Sequence, residues 1–265
     1  VQQGLKDPDP LVRQGALDAL EGLPLQYRLV ALPAVWDEVR SVRVQAARRV
    51  AAYPREQIGP ERGENIDQVW QEYIQAQEFN ADRQEEHLNK AGQYAEIQRY
   101  TESEHAFRRA LDLQPQYVPA YVNFAQMLSE RKRETEAANL LESGLAEVPE
   151  SADLYHALGL SRVRQKNIPA AINALARAAE LAPGNRRYSF VYAVALQSTG
   201  KPAEAVSVLQ QAAEAFPNDP EILMALVNYS REAGQASTAL RYAEQLQAMF
   251  PGNPEIEALL RSLQP

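Results

Sequence analysis

Five prolines constrain this chain more than any other feature. Pro115, Pro149, Pro183, Pro217 and Pro251 follow one another at a fixed interval of 34 residues. Each interrupts an apolar helical run, and an aromatic-rich run begins a few residues later, as in LDLQPQYVPAY at 111–121. Proline lacks an amide hydrogen and biases the residue before it away from helical geometry. Each proline therefore closes one unit of two helices. A period of this length marks a solenoid, in which each unit buries its apolar face only by stacking on its neighbours. The expected fold class is all-α, an alpha-alpha superhelix.

The register persists inside the units. Small residues recur at Ala91, Ala125, Gly159 and Ala193, with Val227 the exception. A second column reads Ser103, Ala137, Ala171, Ala205 and Ala239, and a third Ala110, Gly144, Ala178 and Ala212, ending in Leu246. Small side chains at these places let antiparallel helices approach closely. Phe107, Leu141, Leu175 and Leu209 form a large apolar column between them, from which Ala243 departs. Gly200, Gly234 and Asn167 stand where the first helix of a unit must end, and residues of these types tolerate the positive φ of such a turn.

These columns resemble the tetratricopeptide repeat family, with five repeats at 84–117, 118–151, 152–185, 186–219 and 220–253. The first is the weakest match, because Lys90 stands where the family prefers a large apolar residue. Residues 64–83 are expected to form an adapting helix and 254–265 a C-terminal capping helix. The opening part, 1–63, has a different rhythm. Val12-Arg13 and Val42-Arg43 lie 30 residues apart, as do Ala16 and Ala46. An acidic turn, then Val-Arg, then an alanine-rich amphipathic helix resembles HEAT repeats of the short bacterial type. Asp7 or Asp9 suits the cap of such a helix and Pro10 its first turn. The resemblance implies a right-handed solenoid of helix-turn-helix repeats, HEAT-like and then tetratricopeptide. Val1 to Leu5 reads as the tail of an earlier unit. The chain is then expected to be a piece of a longer protein, with an open N-terminal end through which copies could self-associate.

Composition narrows the function. Cysteine is absent, which excludes disulfides, thiolate metal sites and c-type haem attachment within these residues. No glycine-rich phosphate loop occurs, and no apolar run is long enough to enter a membrane. The net charge of −8 falls entirely on residues 66–265, since residues 1–65 balance to zero. Nucleic-acid binding rests on phosphate neutralisation, so no nucleic-acid partner is expected. The three histidines, His87, His105 and His156, make no metal-binding spacing, and no nucleophile motif appears. No catalytic residue, metal or cofactor is expected in this chain, and it is read as a non-enzyme.

A binding face is the remaining expectation. In the family that the repeats resemble, the first helix of each unit lines the concave face. By register this implies a protein- or peptide-binding set of Asn89, Asn123, Gln126, His156, Leu160, Arg164, Phe190, Val194, Asn228 and Arg231. Asn89 and Asn123 hold equivalent places, and an amide can pair with both halves of a peptide unit. The family's carboxylate clamp is not reproduced, because Leu88 and Val122 stand where its lysine would be. For Phe190 and Val194 two readings stand together: contact with a partner, or packing between neighbouring helices. Tyr121, Tyr155, Tyr188 and Tyr192 read as gap-fillers between units. Arg40, Arg43, Arg48 and Arg49 read as a solvated face with local ion pairs, or as a patch for an acidic partner.

The order of the two repeat types, with phrases such as LYHALGLSRVRQ and FVYAVALQSTG, resembles the C-terminal part of bacterial multihaem c-type cytochrome family proteins. That resemblance implies a periplasmic location and haem sites upstream of this chain. The array would then be a docking arm. A cytoplasmic scaffold is the alternative.

Overall fold

The computed structural model describes residues 1–51, 53, 58–77 and 83–263. The segments expected at 1–63, 64–83 and 254–265 lie partly outside these residues. Fifteen α-helices and no strand occur among the described residues. The chain divides into two compact units, Val1–Ala120 and Tyr121–Pro265.

The first unit holds α1 (Pro10–Asp18), α2 (Leu25–Arg28), α3 (Arg40–Val50), α4 (Pro60–Gln77), α5 (Gln84–Glu96) and α6 (Tyr100–Leu113), with a 3-10 stretch at Leu29–Trp36. Asp9 caps α1 by accepting from the Leu11 amide at 2.9 Å, with Pro10 next in its first turn. Arg13 makes a two-point contact with Asp37, Nε at 2.7 Å and Nη2 at 3.0 Å. Thirty residues on, Arg43 meets Glu72 through the same two nitrogens, both donating to one carboxylate oxygen, at 3.2 and 2.9 Å. Asp7 and Asp37 each accept from the amide two residues ahead, at 2.9 Å. The 30-residue rhythm is thus a repeated pattern of turns and ion pairs. Arg49 is buried and donates to the Leu17 carbonyl, Asp18 and Glu21. Arg43 and Arg49 therefore serve internal ion pairs. Leu17, Val42, Ala46, Val50, Ile66 and Trp70 form the core of this unit. Farther along, the buried Ser103 hydroxyl donates to the Ala91 carbonyl at 2.7 Å, joining α6 to α5. That bond explains how serine can stand in a column otherwise filled by alanine.

The second unit begins inside α7 (Val118–Glu130). It continues with α8 (Glu134–Glu147), α9 (Ala152–Arg164), α10 (Ile168–Leu181), α11 (Arg186–Ser198), α12 (Pro202–Ala215), α13 (Pro220–Glu232), α14 (Ala236–Met249) and α15 (Pro254–Leu263). From α8 onward each helix packs on the next. The small columns are buried throughout, and two of their glycines have no room to spare. A Cβ on Gly144 would stand 2.9 Å from the Tyr121 ring, and one on Gly159 2.6 Å from Leu175. Helix axes approach closely there because no side chain intervenes.

The turns repeat as faithfully as the columns. At the end of α9 the Lys166 amide donates to Val163 O, and the Asn167 amide to Arg162 O, both at 2.9 Å. This five-to-two and six-to-one pair is a Schellman motif, whose five-to-two donor takes a left-handed conformation. The same pair recurs after α5, α7, α11 and α13, with the left-handed residue at Gln98, Lys132, Gly200 and Gly234. The expectation for Asn167 is corrected: Lys166 has φ 59°, whereas Asn167 has φ −88° and caps α10 by accepting from the Ala170 amide. Each second helix ends two residues before its proline, and the next first helix then receives its own cap. Ser151, Asn185, Asp219 and Asn253 accept from amides ahead of them, at another fixed interval of 34. The fold class is the all-α, alpha-alpha superhelical solenoid.

Candidate interaction face

Helices α7, α9, α11 and α13 are the first helices of successive units. Spacings of three and four residues place Gln126, Leu160, Val194 and Asn228 at one register position of these helices, and Val122, His156, Phe190 and Met224 at another. Burial agrees with a solvent-facing stripe. Asn123, Gln126, Val194, Asn228 and Arg231 are exposed, and Leu160, Phe190 and Met224 are half-buried. On α11 the opposite side, Tyr188, Ser189, Ala193 and Leu196, is buried. Phe190 and Met224 also pack against the Ile222–Leu226 core. They combine the two readings, with one edge in the core and one edge open.

Polar bonds tie the first helices side by side. Arg164 Nε meets Glu134 at 2.7 Å, and its Nη2 donates to Ser129 on α7 at 2.9 Å. The same carboxylate accepts from Ser129 and Ser161 at 3.1 Å. Arg164 is thus part of an internal network. Gln197 of α11 donates to Glu232 of α13 at 2.9 Å, and Arg186 pairs with Asp219 and Glu221 at 2.9 and 2.6 Å. Gln126 bonds to Glu130 on its own helix at 3.1 Å. The Asn123 and Asn228 amides make no hydrogen bond to a described residue.

His156 is placed differently from its neighbours in the set. It is only 7% exposed, because the Tyr188 ring stacks on it with centroids 4.5 Å apart. Neither ring nitrogen has a hydrogen-bond partner among the described residues. Burial holds its imidazole down to about 4; Arg187 adds to the shift and Asp153 opposes it. The Tyr188 hydroxyl donates to Asp153, and burial together with that bond pushes the phenol up to about 12. Asn89 is exposed on α5, in the other unit. Sequence reasoning missed Arg187, an exposed residue three positions before Phe190. The helical spacing could have found it. No group of acidic, histidine or cysteine side chains among the described residues could hold a metal ion.

Two tetratricopeptide repeat family models match the chain, one over residues 90–159 and one over 156–220. A search of the curated proteins finds no match. Among solved structures, PilW, a widely conserved type IV pilus biogenesis factor, aligns at 20% identity with a TM-score of 0.54, covering 84% of this chain and 99% of its own. YrrB, a TPR protein with an unusual peptide-binding site, aligns at 20% identity and TM-score 0.51, covering 70% and 96%. PilF of Pseudomonas aeruginosa aligns at 17% identity and TM-score 0.51, covering 84% and 99%. At these identities the likeness is one of fold. The two matched stretches overlap and together span residues 90–220, where the structure shows paired helices repeating at the 34-residue interval.

Proposed function

We propose that this chain is a non-catalytic scaffold that binds a protein or peptide on the first-helix face of its second unit. One observation carries the reading. Gln126, Leu160, Val194 and Asn228 stand at the same position of four successive helices, two exposed amides flanking a half-buried leucine and an exposed valine. An apolar centre bordered by polar groups is the composition of an interface anchor. YrrB, with its peptide-binding site, offers a precedent on a similar fold. The periplasmic location and any role beside a haem protein rest on the sequence resemblance alone and belong to the same proposal.

The test is a photo-cross-linking residue placed at Val194 and, as a control, at Gln211 on α12. In the native host, a cross-linked partner is expected from position 194 and not from 211. Adding Phe190→Ala should reduce its yield about tenfold while the helical spectrum stays unchanged. Equal cross-linking from both positions, or none from 194, would overturn the choice of face.

A further inference from the structure

The charges on this face point to the chemistry of the partner, and the inference rests on the interaction reading above. Helices α7, α9, α11 and α13 carry five arginines and no lysine. Three are committed to internal pairs: Arg162 with Glu142, Arg164 with Glu134, and Arg186 with Asp219 and Glu221. Arg187 and Arg231 are exposed, and neither makes an ion pair or hydrogen bond with a described residue. Asp153, the acid whose charge acts on the Arg187 neighbourhood, accepts from the Tyr188 hydroxyl.

The two free cations frame the apolar centre. Arg187, Phe190 and Val194 follow one stripe of α11, at spacings of three and four. Met224, Asn228 and Arg231 follow the matching stripe of α13, at spacings of four and three. Arg187 stands in the first turn of its helix and Arg231 in the last turn of its own. Ten residue positions separate them in the repeat register, about 15 Å of helix rise. With about 10 Å between neighbouring helices, the diagonal is about 18 Å. An extended chain covers that distance in about five to six residues.

The acidic body does not forbid an acidic visitor. Residues 66–265 carry 18 basic and 26 acidic side chains, but exposed charges farther away than about 8 Å are largely screened at physiological salt. The local pair of guanidinium groups then dominates the contact, and each can hold a carboxylate through two parallel hydrogen bonds. A basic segment seated on the apolar centre would meet two like charges at its ends. We propose that this face takes an extended acidic–apolar peptide segment. Its apolar side chains rest on Phe190 and Val194, and two carboxylates about five to six residues apart pair with Arg187 and Arg231.

Three fluorescein-labelled octapeptides test this by anisotropy on the full chain. The first has a leucine-phenylalanine centre flanked by glutamates. The second replaces the glutamates with lysines. The third keeps the glutamates and replaces the centre with serines. The first should bind at least tenfold more tightly than the others, and Arg187→Glu with Arg231→Glu should transfer the preference to the lysine peptide. Both sites are exposed, so the double variant should keep its helical spectrum. Equal or tighter binding of the lysine peptide that is still lost in Phe190→Ala would overturn the acidic partner and leave the interaction reading standing. Binding indifferent to Phe190→Ala would remove both. If no peptide binds, the acidic–apolar segment is overturned, and cross-linking at Val194 decides the interaction reading separately.

Discussion

Position 156 carries a histidine where its register mates are Val122, Phe190 and Met224. An apolar side chain is at home there, and an imidazole is so only while it is neutral. The folded protein holds His156 to about 4, chiefly by burial, against about 6.5 in an unfolded chain. The folded pKa is depressed, so as pH falls below about 6.5 the unfolded chain takes up the proton first. Stability is then lost progressively until the folded histidine also titrates near 4. After allowance for solvent screening the loss should be about 2 kcal/mol. His156→Phe keeps a stacking partner for Tyr188 and removes the proton site. Urea unfolding of both proteins at pH 7, 6, 5 and 4.5 should show a steeper decline for the native chain. Parallel declines would sink this account. Register alone was enough to put His156 on a first helix. Its burial depends on Tyr188 of the next unit folding over it, a contact between residues 32 apart that no local pattern displays.

At the scale of elements, the helices themselves were legible because a proline and four packing columns recur at one interval. The turns were legible only in part. Gly200 and Gly234 stand out as residue types that accept a positive φ, whereas Gln98, Lys132 and Lys166 do the same work without any such signal. The 34-residue period nevertheless points to them, since all five lie on one column. A left-handed conformation costs an ordinary residue about 1–2 kcal/mol, and glycine returns part of that gain as added freedom in the unfolded chain, about 0.4–1 kcal/mol. Lys166 is exposed at the tip of its turn, so Lys166→Gly should stabilise the protein by about 0.5–1 kcal/mol. The midpoint of urea unfolding reads this directly. A midpoint unchanged or lowered would mean that the lysine side chain contributes more to the turn than its backbone strain costs. The opening segment was harder to read, because two similar units give a rhythm but no long run. Its Arg13–Asp37 and Arg43–Glu72 pairs join residues 24 and 29 apart, and an opposite charge at such a distance cannot be picked out from sequence.

For the whole molecule, the regular array and the compact units do not divide the chain at the same place. The repeat register puts a boundary between residues 117 and 118, whereas the compact second unit starts at Tyr121, within α7. Helix continuity decides which cut is physical. Starting at Tyr121 would remove Val118 to Ala120, the first turn of α7, and leave a short helix with a frayed end. A fragment of residues 116–265 keeps that turn and every packing column of the second unit. The core from Ala193 to Leu260 lies wholly inside it. So do Tyr121 and Gly144, and the Glu134 network that ties α7, α8 and α9. At about 150 residues such a fragment buries about 70% of the surface its unfolded chain exposes, enough for a domain to fold alone. Neighbour contacts, summed along an array, carry the stability of repeat proteins, so losing distant units should cost little. Expressed alone, 116–265 should show a helical spectrum and a single cooperative urea transition. Its affinity for the glutamate-flanked peptide should equal that of the full chain, because Arg187, Phe190, Val194 and Arg231 are all present. An unfolded or aggregating fragment would mean that residues before 116 are needed to hold the array together. A folded fragment with weakened peptide binding would overturn the assignment of the whole site to the second unit.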